Sequence, residues 1–192
     1  SAYEIIYVDS NSTDNTIKIV QNYNIRVILI KGEVNAAIGR NVGVKHSSGN
    51  ILFFVDGDME LLPDFYKYVF DTKTEEPEYP FVYGYWQDKL YDSNFKYLFT
   101  QDVSIPDKPI FVNTTGGLMI IERFLWDKVG GMDERLIRSQ DHDIGLRLAK
   151  IGFPAKRYNS LFAIHHTISY TNKKRFKKFF LSKILLSQGL LM

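Results

Sequence analysis

The sequence predicts a single α/β domain built on a mostly parallel, doubly wound sheet with helices on both faces. Segments with strand and helix patterns alternate along the first half of the chain, which is the order that parallel βαβ units require. Residues 51–55, Ile-Leu-Phe-Phe-Val, form a continuous apolar run, as expected of a strand buried on both faces of a parallel sheet. A length of 192 residues, 45% of them hydrophobic, is enough for one such core.

The first half is predicted to contain two strand and helix units before that apolar strand. Apolar runs indicate the strands, and Ser, Thr, Asp and Asn side chains before the helical patterns indicate where the helices begin. In chain order, we expect a strand over 3–9, capping residues at 12–16, a helix to 21, a strand over 25–30 and a helix over 35–45.

The second half begins after an acidic, proline-containing loop at 71–80. Its helices are expected where apolar periodicity is bounded by turn residues, as at Gly152 after the last one. In order, we expect a strand over 81–85, an irregular aromatic region to about 109, a Gly-Gly turn, a strand over 118–121 and helices over 124–129 and 141–151.

Composition excludes several kinds of site. Cysteine is absent, which rules out disulfides, thiolate metal sites and cysteine nucleophiles. No apolar run approaches the roughly 18 to 20 residues that span a bilayer, and the first residues are unlike a signal peptide. We therefore expect a cytoplasmic protein, either soluble or peripheral to the inner face of the membrane.

The C-terminal segment 171–192 is strongly basic. Without its six basic residues, 18 basic and 22 acidic residues remain in the chain, a balance that argues against general nucleic-acid binding. Four apolar residues recur there at helical spacing and predict a basic amphipathic helix: Phe176, Phe179, Phe180 and Ile184. Two interpretations stay open. The helix lies on an anionic membrane surface, or it packs on the domain through its Phe face.

Two acidic clusters are candidates for chemistry. Asp56 and Asp58 flank Gly57 directly after the apolar strand, at the edge of an α/β sheet where ligands bind. An Asp-x-Asp pair can hold Mg²⁺ or Mn²⁺ against a diphosphate, although an ordinary Asp-Gly turn has the same sequence. Asp141 opens the last predicted helix, where a helix N-cap is the simpler interpretation.

The chain resembles the family 2 inverting glycosyltransferases of the GT-A fold, a Rossmann-like fold, over nearly its whole length. Residues 4–16 resemble the second strand and nucleotide loop of that family. Residues 39–58 are similar to its Ala-Arg-Asn-x-Gly helix and Asp-x-Asp strand, a combination that is highly specific. Residues 115–134 resemble the donor-sugar loop and the Val-Gly-Gly-Phe-Asp-Glu turn, and 140–148 the Glu-Asp-x-Asp-Leu helix.

The resemblance implies roles for the donor and catalytic residues. Asp9 would contact the nucleobase, Asp141 would be the catalytic base, and Asp56 would bind the donor as well as the metal. Arg40 would add a fixed positive charge to the donor site, unless it is a helix-surface arginine. Gly116 and Gly117 would lie in the donor-sugar loop.

The resemblance also implies a histidine as a third metal ligand or as a contact of the diphosphate. His165 and His166 follow the catalytic helix. Alternation along a strand sends only one of two neighbours inward, and we favour His166. The implied metal ligands are therefore Asp56, Asp58 and His166, and the cofactor is Mn²⁺ or Mg²⁺.

Two departures from the family pattern affect the interpretation. Gln140 stands where Glu is commoner, and the first strand of the family, with its base-pocket loop, is missing. A catalytically silent binding module therefore remains an alternative. A sugar nucleotidyltransferase is a second one, although it needs a glycine-rich basic phosphate loop that this sequence lacks.

The sequence thus predicts a metal-dependent, inverting transferase that uses a nucleotide sugar, with a UDP-sugar as the commonest donor in the resembling family. We assign 1–80 to the nucleotide-sugar-binding half, 81–170 to the acceptor-binding and catalytic half, and 171–192 to the basic helix. The expected acceptor is a saccharide or a lipid-linked saccharide. An anionic membrane surface is the other expected partner, and nucleic acid is not.

Overall fold

The computed structural model describes residues 3–169, except 33, 72 and 75. The basic segment predicted to form a helix over 171–192 lies outside these residues. The first unit of the fold is a parallel pair, β1 (Ile6–Asp9) and β2 (Arg26–Leu29), joined through the short helix α1 (Thr16–Val20). Helix α2 (Ala36–Lys45) follows, and the side chain of Asn35 caps it by accepting a hydrogen bond of 3.0 Å from the Ile38 amide.

The rest of the described chain forms a seven-stranded sheet with three further helices. In chain order, its elements are β3 (Ile51–Phe54), β4 (Met59–Leu61), α3 (Tyr66–Val69), β5 (Phe81–Tyr91), β6 (Tyr97–Thr100), β7 (Ile110–Val112), β8 (Met119–Glu122), α4 (Arg123–Val129), α5 (Gln140–Lys150) and β9 (Ala155–Ile168). The strand order is β3-β8-β5-β9-β4, with β6 paired to β5 and β7 paired to β9.

The α/β class, with a central sheet and flanking helices in a single domain, is confirmed. The expectation of a mostly parallel sheet is wrong: in the seven-stranded sheet only β5 and β9 pair in parallel, and the other pairings are antiparallel. The reason lies in the connections. Strands β5 to β8 follow one another without a helix between them, so no crossover returns the chain in the same direction.

The apolar strand β3 is less buried than its sequence suggests. It lies at the end of the sheet and pairs only with β8 among the described strands, so Leu52 is buried while Phe53 and Phe54 are half-buried. The aromatic region expected to be irregular contains the continuation of β5 and the hairpin to β6. The expected strands at 3–9, 25–30 and 118–121 and the helices at 35–45, 124–129 and 141–151 are confirmed within three residues at each end.

The core lies on both faces of the sheet. Met119 and Ile121 pack with residues of α2, α4 and α5 on one face, while Leu118 and Ile120 pack with Val69 of α3 on the other. This alternation follows from the two-residue period of a strand. No helix in the described part of the chain is long and apolar enough to cross a bilayer.

Candidate active site

The Asp-x-Asp segment follows β3, and its two carboxylates contact different partners. Asp56 Oδ1 accepts a hydrogen bond of 2.5 Å from Arg40 Nη2 of helix α2. Asp58 Oδ2 lies 3.2 Å from His165 Nε2 on β9. The segment therefore connects two neighbouring groups of side chains, one of which contains a guanidinium and the other an imidazole.

The Arg40 and Asp56 pair is enclosed by the glycine turn before β8. The Arg40 side chain is only 12% exposed. A Cβ atom built on Gly117 would overlap the Asp56 carboxylate and lie 3.1 Å from Arg40 Nη2. Neither Gly116 nor Gly117 has a positive φ, so close approach is what these positions require. The structure thus brings together three residues predicted for the donor site.

Gly116 is held against the indole of Trp86, which any Cβ at this position would overlap. Trp86 belongs to β5 and is packed against both core clusters. The glycine turn is therefore seated directly on the central strand of the sheet. No motif in the sequence pointed to Trp86, because its contact with Gly116 depends on the order of the strands.

His165 lies between two carboxylates. Its Nε2 atom faces Asp58, and its Nδ1 atom lies 2.8 Å from Asp88 Oδ1 on β5. These two contacts raise the pKa of His165 to about 9, and the contact with Asp58 has the largest effect. Partial burial opposes the shift. The sequence analysis did not identify Asp88, which carries no motif.

The neighbouring His166 contacts a different pair of side chains. Its Nδ1 atom lies 2.8 Å from the Tyr91 hydroxyl, and its Nε2 atom lies 3.1 Å from Glu60 Oε2. The structure therefore places His165, and not the favoured His166, against Asp58. The choice depends on the register of β9 against β4, in which Met59 is opposite His165, and the sequence alone does not give this register.

An open cleft of about 540 Å³ begins at Asp58. The ring of Phe95 is 67% exposed at the cleft, and its backbone has a φ of 59°, a conformation that is uncommon for a bulky residue. Tyr91 lies beside it, with ring centroids 6.1 Å apart. The cleft is lined by Gly57, Asp58, Met59, Glu60, Phe95, His166, Thr167 and Ile168.

The first turn of α5 presents two carboxylates with different environments. Asp143 accepts hydrogen bonds of 2.8 and 2.6 Å from Arg147, which in turn donates to the carbonyl oxygens of Val129 and Gly131. This places Asp143 in the scaffold. Asp141 is half-buried and does not cap the helix, since the N-cap residue is Ser139.

Helix α5 is packed closely onto the segment that leads to the glycine turn. A Cβ atom on Gly145 would lie 2.9 Å from the Asn113 carbonyl oxygen and 2.9 Å from Thr114 Cα. Contacts this short are not tolerated, so glycine is required for the present spacing. The helix that carries Asp141 is thereby fixed relative to the strand that begins after Gly117.

The remaining predicted donor residue, Asp9, is 2% exposed at the end of β1. Its two carboxylate oxygens accept hydrogen bonds from the backbone amide and the hydroxyl of Ser12, at 2.7 and 2.6 Å. Asp9 therefore shapes the loop after β1. Among the described residues, no three histidine or carboxylate side chains converge as a ready-made metal site.

Sequence comparisons relate the chain to known proteins. A sequence model described as glycosyl transferase family 2 matches residues 1–128, two thirds of the chain. The chain belongs to this family. It is 29% identical over 156 residues to an uncharacterized glycosyltransferase of Haemophilus influenzae, covering 77% of this chain and 52% of that protein. A 37% identity over 75 residues links it to the poly(ribitol-phosphate) β-N-acetylglucosaminyltransferase TarP of Staphylococcus aureus, covering 34% of this chain and 23% of TarP.

Solved structures share the fold. S. aureus TarS 1–349 superimposes with a TM-score of 0.61 at 16% identity, covering 85% of this chain and 51% of that one. GalNAc-T7, solved with UDP, GalNAc and Mn²⁺, gives a TM-score of 0.64 at 14% identity, covering 86% of this chain and 38% of that one. At such identities the likeness establishes the GT-A fold alone. The chain spans about half the length of the H. influenzae relative and of TarS 1–349.

Proposed function

We propose that this domain transfers a sugar from a UDP-sugar to an acceptor hydroxyl, with inversion at the anomeric carbon and with Mn²⁺ or Mg²⁺ as the cofactor. The observation that carries the proposal is the group of Arg40, Asp56 and Gly117 at the end of β3, next to the Asp58 and His165 pair. The Arg40 guanidinium, held in place beside carboxylate oxygens and an imidazole, suits the binding of a metal-bound diphosphate. The family, and UDP in related structures of TarS and GalNAc-T7, support it.

The donors at Asp58 and His165 fit a divalent cation. Asp58 Oδ2 and His165 Nε2 lie 3.2 Å apart, and carboxylate oxygens and imidazole nitrogens are both ligands of divalent metals. When bound, the cation would act as a Lewis acid on the departing diphosphate. We propose Asp58 and His165 as ligands, with Asp56 next to them.

Arg40 and the glycine turn would hold the rest of the donor. The Arg40 guanidinium is held in place by Asp56 and lies 3.9 Å from the Met132 sulfur, so its charge is fixed before the donor arrives. The missing Cβ atom at Gly117 lets the backbone come close to this charge, and the missing Cβ atom at Gly116 lets the turn pack on Trp86. We propose that the diphosphate and the sugar bind here, and that the nucleobase binds against the loop after β1, which Asp9 holds in shape.

Asp141 is the proposed general base. It lies in the first turn of α5, on a helix whose spacing from the glycine turn is fixed by Gly145. The carboxylate would accept the proton of the acceptor hydroxyl. The oxygen of that hydroxyl would attack the anomeric carbon in line with the departing diphosphate. A saccharide, free or linked to a lipid, would bind in the cleft beside Asp58, where the exposed ring of Phe95 offers an apolar face.

The proposal can be tested with two variants, each measured for binding and for turnover. UDP with Mn²⁺ should raise the melting temperature of the wild type, because a ligand of the folded state stabilises it by mass action. Asp58→Ala should lose both this shift and turnover. Asp141→Asn should keep UDP affinity within a few fold and lose turnover by about 10²- to 10⁴-fold, the usual contribution of a general base.

The products formed from a panel of nucleotide sugars separate this function from its alternatives. Release of UDP with transfer or hydrolysis of the sugar supports the proposal. Binding without any product from any donor would identify a silent binding module, and release of pyrophosphate from a nucleoside triphosphate would identify a nucleotidyltransferase. Unchanged Mn²⁺-dependent turnover in Asp58→Ala would refute the metal site.

A further inference from the structure

Three adjacent strands place a row of polar side chains across the sheet. In the β4–β9 pairing Met59 is opposite His165, and in the β5–β9 pairing Asp88 is opposite His165. Asp58 directly precedes β4. The imidazole of His165 therefore lies between a carboxylate at the cleft and a second carboxylate on the central strand.

The three side chains differ in their exposure. The Asp58 side chain is 53% exposed, whereas those of His165 and Asp88 are 20% and 29% exposed. Asp88 is not among the residues that line the cleft. It touches His165 from the side opposite to Asp58, so it can influence a ligand through the imidazole.

The hydrogen bond between Asp88 and His165 determines which ring nitrogen is available. An ionised carboxylate can only accept hydrogen bonds, so Nδ1, at 2.8 Å from Asp88 Oδ1, must carry a proton. With Nδ1 engaged by Asp88, the nitrogen left for a bound cation is Nε2, which is the atom that faces Asp58. The same hydrogen bond fixes the plane of the ring and increases the basicity of Nε2.

We propose that Asp88 is a positioning residue that holds His165 in the tautomer and orientation needed to bind a divalent cation together with Asp58. This inference rests on the proposed function, in which Asp58 and His165 are metal ligands. Because Asp88 and His165 are cross-strand partners, the geometry is set by the sheet and is present before the metal binds.

The test is direct measurement of Mn²⁺ affinity by electron paramagnetic resonance, with UDP present, in the full-length chain. Asp88→Ala should weaken Mn²⁺ binding by about 10- to 100-fold, the usual effect of losing such a partner. Asp88→Asn should weaken it less, because the amide oxygen still accepts the hydrogen bond from Nδ1. Thermal unfolding of each variant without metal reports whether it is folded.

A double-variant cycle distinguishes positioning from a general effect of charge. If Asp88 acts through the imidazole, Asp88→Ala should have no further effect on Mn²⁺ affinity in a His165→Ala background. Tyr91→Phe is the matched control, because it removes the partner of Nδ1 of the neighbouring histidine on the same two strands. It should leave Mn²⁺ affinity unchanged.

The outcomes separate this inference from the proposed function. If the wild type binds no Mn²⁺, the metal-dependent function fails and the inference fails with it. If the wild type binds Mn²⁺ and folded Asp88→Ala and Asp88→Asn bind it equally well, only the inference is overturned. An equal loss from Asp88→Ala with and without His165 would also overturn it, since the effect would then not pass through the ring.

Discussion

Gln140 shows how one side chain can be selected by its immediate partner. It begins α5, is 5% exposed, and donates a hydrogen bond of 2.8 Å from Nε2 to the carbonyl oxygen of Leu136. Glutamate is commoner at this position in the resembling family. Here an amide donor satisfies a buried carbonyl group, which an ionised carboxylate cannot do because it has no proton to donate. Glutamine, directly before Asp141, therefore provides a hydrogen bond that glutamate at this position could not.

We predict that Gln140→Glu destabilises the domain by about 1–3 kcal/mol at neutral pH, because two acceptors would then face each other in a buried position. Urea unfolding measures the change. The penalty raises the pKa of the new carboxyl group in the folded state, so it should be present at neutral pH and disappear as the pH falls below roughly 4.3, the value in the unfolded chain.

Gln101→Glu, at an exposed position, serves as the control and should change the free energy of unfolding by less than about 0.5 kcal/mol. If Gln140→Glu costs the same at pH 4 as at pH 7, the loss does not come from the missing proton donor, and the explanation given for Gln140 is wrong.

At the level of single residues, the sequence predicted which residues lie in the candidate site better than it predicted which side chains they contact. Arg40, Asp56 and Gly117 were assigned to the donor site, and the structure brings them together. The choice of histidine and the presence of Asp88 depend on which residues are opposite each other on β4, β9 and β5. Such pairings join residues up to 107 positions apart, and no local pattern encodes them.

At the level of elements, the junction of α2, β3 and the turn before β8 is the most closely fitted part of the proposed donor site. It joins the Arg40 guanidinium, the Asp56 carboxylate and the Gly117 backbone, each from a different element. A hydrogen bond of 2.8 Å from Arg123 Nε to the Gly49 carbonyl oxygen ties the start of α4 to the loop before β3. The proposed donor site thus lies where elements meet.

We predict that Gly117→Ala disrupts this junction. The new Cβ atom would occupy the place of the Asp56 carboxylate, which must move away from Arg40. Overpacking of this kind typically costs about 1–3 kcal/mol, and we expect UDP affinity in the presence of Mn²⁺ to fall with it. Urea unfolding and calorimetric titration with UDP measure the two effects.

Gly39→Ala is the matched control, since Gly39 lies next to Arg40 in α2 and a Cβ built there meets no atom within 4 Å beyond its chain neighbours and the adjacent backbone of its own helix. Alanine in the interior of a helix is favoured over glycine by up to about 1 kcal/mol, so this variant should be at least as stable as the wild type. If Gly117→Ala retained full UDP affinity, the turn would not belong to the donor site.

The elements themselves were predictable to different degrees for physical reasons. Helices with apolar periodicity and a local start or stop signal, such as Asn35 before α2 and Gly152 after α5, could be placed from local sequence. The hairpin of β5 and β6 could not, because its exposed aromatic residues do not alternate with polar ones. Tyr97, Leu98 and Phe99 are all more than 40% exposed. The direction of pairing was also beyond local sequence, since it depends on which connections contain a crossover.

At the level of the whole molecule, charge is unevenly distributed along the sequence. Residues 173–183 contain six basic and no acidic residues, while the rest of the chain has an excess of four acidic residues. A mildly acidic body with a basic segment suits attachment to an anionic surface through that segment. If the acceptor is lipid-linked, as proposed above, such attachment would bring the proposed transferase close to it.

We predict that the full-length chain binds vesicles containing anionic lipid and not neutral vesicles. Each basic residue near such a surface contributes about 1 kcal/mol, and salt screens the attraction beyond roughly 10 Å at 0.1 M. Co-sedimentation should therefore show binding that weakens as salt is raised. Replacement of four basic-segment residues by Gln should release the protein from the vesicles: Lys173, Lys174, Lys177 and Lys178.

The control replaces the same number of exposed lysines elsewhere, so that total charge changes equally while the basic segment stays intact: Lys18, Lys31, Lys45 and Lys108. This variant should bind anionic vesicles nearly as well as the wild type, because charges far from the contact are screened. If both variants lose binding to the same extent, net charge governs attachment and the segment has no special role. Equal binding to neutral and anionic vesicles, or none to either, would contradict the membrane role. The alternative, in which the aromatic residues of the basic segment pack on the protein, would then be favoured.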